Sequence, residues 1–504
     1  MGVPIRKSVL AFVPEATEGV LVAPSGATQY TSPQSDWEMD PGRNYLESDQ
    51  LSDTIGKRKP IPGSEDPTCG GSFYLRGSGT AGVAPDYNDA LKAFFGSEVV
   101  ASTEYDLVSG STTSVLNVDT GEGVNFQRGQ GLLIKDPVNG WRIRPVHSVA
   151  TDALTLGFSV PVAPLTGVLT GKCVLYKPAN SGHQTLSIWQ YIGNGGAIEA
   201  IAGCRPTGFS FSAQAGELLN GNLSFDGLSH FFNPIIISAS TKYLDWTNDD
   251  GTYATSVAEG SYKNPQELAA AIQAAMNSAS TGETHTVAYS NATGKYTITC
   301  TGTVLSLLWN SGTNTANSIG TKIGFLVAAD DTGTAATTGY TSDNAYTLTS
   351  PYTPTLDSAE PFSTKNQEVM IGDSTDVTCF DTPIVEFDAS LERAVNESLC
   401  AVSGRSGSVL VSRTATVKVK QFLTEYNSNF YRRYTEGTTT RFQFSFGEKS
   451  GGQWVAGKCG YVYIPNATVS EWKIAEENGM AVIEITLTAY VATDLLGEVY
   501  LGFL

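Results

Sequence analysis

Two stretches far apart in the chain alternate apolar and polar residues with period two. In one, Leu223 and Phe225 stand against Asn222, Ser224 and Asp226; in the other, Ile483, Ile485 and Leu487 stand against Glu484, Thr486 and Thr488. That period sends the two sets to opposite faces, so each stretch predicts a half-buried β-strand with one polar face. Turns are predicted just ahead of them, at Asn220-Gly221 and Asn478-Gly479. Residues 104–178 hold five strand-length runs (SVLNVD, GLLIKD, IRPVHSV, ALTLGF, KCVLYK) punctuated by turn residues, which predicts a small all-β domain.

Residues 237–350 predict a small α+β domain. Its helix has a defined start, with Asn264 as N-cap, Pro265 at the first helical position and Glu267 two further on. Leu268, Ile272, Ala275 and Met276 then form one apolar face. A hairpin follows, Val287 and Tyr289 leading into Asn291-Ala292-Thr293-Gly294 and out to Tyr296 and Ile298. The acidic run Asn248-Asp249-Asp250-Gly251 lacks the spaced oxygens and closing Glu of a calcium loop and reads as a hairpin turn. A Thr/Gly/Ser/Pro-rich stretch follows, with 351–365 as a linker.

One glycine run carries a sharper question. Residues 73–97 contain a literal G-x-G-x-x-G (Gly77, Gly79, Gly82) between a strand and an amphipathic helix. A dinucleotide site needs a buried parallel strand and a helix starting at the last glycine. Here the strand Ser72–Arg76 is polar, and Val83-Ala84-Pro85 separates the last glycine from a helix expected to start at Pro85-Asp86. The glycines therefore read as turn geometry, with no phosphate to hold.

Composition adds few catalytic options. No apolar run reaches the ~18 residues of a membrane helix. The start of the chain has too short an apolar stretch for a signal peptide, so assembly in a cytoplasm is expected. Seven cysteines (Cys69, Cys173, Cys204, Cys300, Cys379, Cys400, Cys459) are scattered without a C-x-x-C pair, and there are four histidines. The thiols read as small buried hydrophobes, and no metal or other cofactor is expected. No nucleophile elbow is present, since Gly404-Arg405-Ser406-Gly407 has the wrong spacing. No enzyme is expected.

The segment LRGSGTAGVAPDYNDALKAFFG, followed later by IAGCRPTGFSFSAQAGELLNGNLSFDGL, resembles the tail tube (major tail) proteins of long-tailed, non-contractile bacteriophages. In that family a comparable segment leads to a strand ending G-x-R-G and an aromatic-rich hairpin. Here Gly203-Cys204-Arg205-Pro206 occupies that place, with Pro206 departing from the final glycine. The resemblance implies a mainly β fold and a virion protein whose rings stack into a tube. With it, 1–103 and 179–236 form a discontinuous first tube domain, 104–178 and 237–350 are insertions, and 366–504 is a second tube domain. The segment ending LLWNSGTNTANSIGTKIGF also resembles a module that recurs as an insert in phage virion proteins.

The two tube domains share an order of elements. Asp36–Asp40 parallels Val385–Asp388, and Ser72–Arg76 parallels Thr414–Val419. The helix Tyr87–Phe95 parallels Phe422–Tyr434, which has Phe422, Tyr426, Phe430 and Tyr434 at helical spacing. Leu186–Tyr191 then parallels Arg441–Phe446, and each copy ends in an alternating strand. This order predicts a duplicated β-sandwich or barrel unit, each copy with a flanking helix. Two units per chain predict a trimeric ring of pseudo-six-fold symmetry, with a hexamer as the alternative.

The net charge of −19 comes from 31 basic and 50 acidic residues, and all of it falls outside the charge-balanced 104–178 segment. An acidic channel would let DNA pass without tight binding. Asn222, Ser224, Asp226, Glu484, Thr486 and Thr488 are the candidate lumen residues. Lys57, Arg58, Lys59, Asp86, Tyr87, Arg432, Arg433, Ile483, Ile485 and Leu487 are candidate subunit or ring contacts. The resemblance implies tape-measure and tail-terminator proteins as partners, with no membrane. A β-rich receptor- or carbohydrate-binding protein is the alternative, with Trp141, Trp246 and Trp309 as stacking platforms; a polysaccharide-degrading enzyme would need paired carboxylates the sequence does not reveal.

Overall fold

The computed structural model describes residues 5–26, 29–47, 59–193, 196–280, 282–333, 337–346, 354–356, 359–373, 377–380, 384–397, 405–423, 428–477, 479–491 and 497–504. Strand makes up 51% and helix 10%, so the protein is mainly β, as the alternation predicts. The chain divides into two compact units. The smaller comprises Met1–Gly26, Ser187–Gly203 and Leu228–Thr353; the larger comprises Ala27–Leu186, Cys204–Gly227 and Pro354–Leu504. Among the described residues no helix is long and apolar enough to cross a membrane.

The larger unit is a β-sandwich. Eight strands define its first sheet: β1 (Glu38–Asp40), β2 (Thr68–Tyr74), β3 (Ala197–Ala213, from Arg205 onward), β4 (Asn220–Asp226), β5 (Ile384–Glu397), β6 (Arg405–Phe422), β7 (Gln453–Glu477) and β8 (Met480–Ala489). They pair antiparallel in the order β1-β2-β4-β3-β5-β6-β8-β7. A second run pairs Gly96–Ala101, Cys173–Pro178, Tyr500–Phe503, the early half of β7, Thr440–Ser450, Glu368–Gly372 and Val377–Phe380. The core lies between them. Phe209, Phe211 and Phe387 of the first sheet meet Phe444 and Phe446 of the second, all buried, with Phe211 stacked on Phe444 at 5.7 Å. Period-two alternation supplies that apolar face and leaves the other polar.

Several sequence expectations shift. Asn220 and Gly221 lie inside β4, and the preceding turn is instead at Gln214–Glu217. The helix after the glycine run is Asn88–Phe95, starting later than Pro85-Asp86, because Asp86 is held by Arg76 and Tyr87 by the Arg76 backbone. Phe422 ends β6 and is not helical; the second helix is Ser428–Glu436, and Tyr426 lies outside the described residues. KCVLYK does not join the small sheet of the 104–178 segment. Cys173–Pro178 pairs with Gly96–Ala101 and Tyr500–Phe503, while Val115–Asn117, Gly131–Asp136, Gly140–Ala150 and Ala153–Leu156 form the four-stranded sheet. That small sheet covers one core of its own and shares another, through Leu133, Ile143 and Phe158, with Trp454, Tyr461 and Tyr463 of β7.

The glycine run is a turn, as read. Gly79 and Gly82 have φ of +83° and +74°, and a Cβ on Gly77 would lie 2.9 Å from the Gly457 carbonyl.

In the smaller unit, the helix Pro265–Ala279 is capped by the Asn264 side chain, which accepts from the Glu267 N–H at 2.9 Å. Leu268, Ile272 and Met276 are buried in a core with Trp246, Tyr296, Ile298 and Trp309. The hairpin His285–Ser290 with Lys295–Cys300 turns where expected, and Asp249-Asp250 form the two-residue turn between Tyr243–Asn248 and Gly251–Ser256. The Glu15 carboxylate ties three chain segments of this unit, accepting from Gly19 N–H, Ser187 Oγ and Gly203 N–H at 2.9, 2.7 and 2.8 Å.

Candidate assembly surface

The eight-stranded sheet contains the same four-stranded pattern twice. β1-β2-β4-β3 is matched by β5-β6-β8-β7, strand for strand. The registers agree as well. Glu38, Gly70, Ser224 and Gly208 form one cross-strand row, and Glu386, Lys418, Thr486 and Glu471 form its counterpart. The next rows are Met39, Cys69, Phe225 and Pro206 against Phe387, Val417, Leu487 and Val469. Every member of this second pair of rows is buried. Both copies carry a bulge at the same point, between Pro206 and Gly208 and between Val469 and Glu471. A bulge shifts every later side chain, so its coincidence fixes the alignment of the repeats to the residue.

The candidate lumen residues fall on equivalent positions of this pattern. Asn222, Ser224 and Asp226 correspond to Glu484, Thr486 and Thr488, and all six point to the polar face. In the first copy that face also carries Glu38, Asp40 and Arg205. In the second, Glu484 is ringed by Lys473 at 2.6 Å and by Lys418 and Lys420, each at 3.7 Å. These lysines hold its carboxyl below the ordinary carboxylate range, the Lys473 contact contributing most, against a desolvation that raises it. The sequence reading missed this lysine cluster, which assembles only when three strands align.

The candidate contact residues separate by burial. Ile483, Ile485 and Leu487 are at most 1% exposed, packed inward on the sandwich core, and leave nothing for a neighbour to touch. Tyr87 is buried too: its hydroxyl donates to the Arg76 carbonyl at 2.7 Å and its ring meets Phe73 at 4.9 Å. Asp86 pairs with Arg76 and accepts from Thr31 Oγ1 at 2.9 Å. Arg433 is buried and bonded to Asp373 at 2.9 Å. These six residues are held inside the chain, three by apolar packing and three by polar or aromatic partners. Arg432 and Lys59 are exposed; Lys57 and Arg58 lie outside the described residues. Trp246 and Trp309 are buried, which removes them as sugar platforms, and Trp141 is half-buried.

The edge of the second copy shows what sequence reasoning overlooked. Ile474 of β7 occupies the position of Phe211 in β3. Phe211 is covered by Phe387, the partner it meets where the copies join, whereas Ile474 is 54% exposed. Beyond residue 467, β8 is the strand registered on β7 among the described residues; β2 is the one registered on β1.

A family model described as phage tail tube protein matches residues 5–234. One solved chain, from a structure titled "Virion of native gene transfer agent (GTA) particle", is 14% identical over 26% of this chain and 94% of that chain, with a TM-score of 0.18, a similarity too slight to carry any argument. No curated protein matches the sequence. The family match covers residues 5–234, less than half of the chain, and is a likeness to that family.

Proposed function

We propose that three copies of this chain close a ring of pseudo-six-fold symmetry, and that stacked rings form the tail tube. The observation that carries this reading is the joint between β3 and β5, where one repeat already pairs with the next inside a single chain. There Phe211 faces Phe387, Ser210 faces Asp388 and Ser212 faces Glu386. Carrying the same register to the open ends sets β7 of one chain against β1 of a neighbour. Ile474 then faces Met39, and Lys473 faces Asp40, each in the partner copy. The exposed isoleucine gains an apolar partner and the lysine an opposite charge. Such closure removes the free sheet edges that otherwise invite irregular pairing.

In this ring the polar face lines the bore. The first repeat supplies an acidic excess through Glu38, Asp40 and Asp226, while the lysines of the second are engaged by Glu484. Phosphates find few free cations there, so DNA passes without tight binding during ejection. The 237–350 segment is a decoration module, and tape-measure and tail-terminator proteins are the partners that set and cap the tube. Assembly takes place in the host cytoplasm.

Electron microscopy of the purified full-length protein tests the proposal. Hollow tubes with three-fold rings and six similar sectors are expected. A tube built from six chains per ring, or particles without a bore, would overturn it. Excising 237–350 should leave tubes of the same bore.

A further inference from the structure

The hairpin of the smaller unit brings together three side chains of different donor type. His285 and Cys300 are direct cross-strand partners, and Glu283 lies two residues before His285. One ligand atom from each lies within 4.8 Å of the other two. The Cys300 thiol donates to Glu283 Oε2 at 2.6 Å. His285 is fully buried, its ring edge against Trp246 at 5.5 Å, and neither Nδ1 nor Nε2 has a hydrogen-bond partner.

That last point is the unusual one. A buried imidazole normally satisfies at least its N–H, and leaving it bare is unfavourable. Its neighbours here are a thiol and a carboxylate, the companions of a metal-binding imidazole. Burial also keeps the ring neutral, with a lone pair available.

We propose that Glu283, His285 and Cys300 bind a zinc-type divalent cation, with water completing a tetrahedron. The mixed sulfur, nitrogen and oxygen set suits zinc or its spectroscopic substitute cobalt, and does not suit calcium or magnesium, which take oxygen ligands. Glu283 is half-buried and provides the route from solvent. The Cys300 thiol, pushed up to about 11 mainly by burial and then by the Glu283 contact, releases its proton on binding. The ion would pin the open end of the hairpin, giving the unit a structural clasp.

The test uses full-length protein freed of metal by a chelator and then titrated with Co²⁺. A thiolate-to-cobalt charge-transfer band with tetrahedral visible bands is expected, saturating at one ion per chain. Cys300→Ala and His285→Phe should each abolish it, while Cys459→Ala and Cys379→Ala should keep it. Zn²⁺, but not Mg²⁺, should raise the melting temperature of the parent protein, and this rise should vanish in the Cys300→Ala variant. Circular dichroism establishes that each variant is folded. Absence of the cobalt band in the parent, or its persistence in folded Cys300→Ala protein, would overturn the assignment.

Discussion

Phe211 stacks on Phe387, ring centroids 5.0 Å apart and planes inclined by 19°, at the joint where the two repeats share a ladder. Both rings are buried, and Phe211 also stacks on Phe444 of the opposite sheet. The contact therefore fastens repeat to repeat and sheet to sheet together. Replacing Phe387 by Ala should cost about 3–5 kcal/mol, the usual loss for a buried aromatic that leaves a cavity. Urea unfolding of the unassembled protein measures it, and a change under about 1 kcal/mol would show that the joint is not a major support.

Ile474 stands at the equivalent place on the open edge. Because it is exposed, Ile474→Asp should leave the isolated chain nearly as stable as before, within about 0.5 kcal/mol. Assembly should suffer, since an aspartate would face Met39 of the neighbouring copy without a partner charge. Sedimentation should then find soluble, folded, unassembled chains. Removing residues 478–504 is a blunter test, because it deletes β8 and Tyr500–Phe503 from within the sheets and so compromises folding itself.

The proposed register can be trapped. Cysteines placed at positions 39 and 474 should form a disulfide between copies, because directly opposed residues in an antiparallel pair bring their Cβ atoms to about 4.5–5.5 Å. Oxidised Met39→Cys/Ile474→Cys protein should run on denaturing gels as a ladder ending at the covalent trimer, and collapse to monomer on reduction. A ladder continuing to hexamer would sink the three-chain ring. A parallel pair moved by one residue on one strand should cross-link poorly.

How much of this was legible beforehand follows from what each pattern encodes. Leu223/Phe225 and Ile483/Ile485/Leu487 announced their strands because period two is a local property. The order of elements pointed to the repeat, although Met39 and Phe387, or Cys69 and Val417, share little beyond burial, and the registers set Thr414–Val419 against 66–71, not against Ser72–Arg76. The bulges at Thr207 and Ser470 left no local signal: they become visible only as register shifts between paired strands. Asp86, Tyr87 and Arg433 misled because a charge or hydroxyl in sequence says nothing of a buried partner such as Arg76 or Asp373. Glu283, His285 and Cys300 lacked the close spacing of a zinc motif; a hairpin, not a short loop, joins them.

Glu484 ties the polar face to pH. Its carboxyl lies below the ordinary value of 4.5, chiefly through Lys473 and with help from Lys418 and Lys420. A group whose folded value is depressed adds stability that is fully present above its unfolded value and disappears as pH falls through the folded one. Glu484→Gln should therefore be less stable than the parent at pH 7, by about 1 kcal/mol because the lysines reach solvent and are screened. Below pH 4.5 the two proteins should converge as the parent's carboxylate takes up its proton. Paired urea titrations across pH 3 to 7 read this directly, and a gap that widens on acidification would contradict the lysine-held carboxylate.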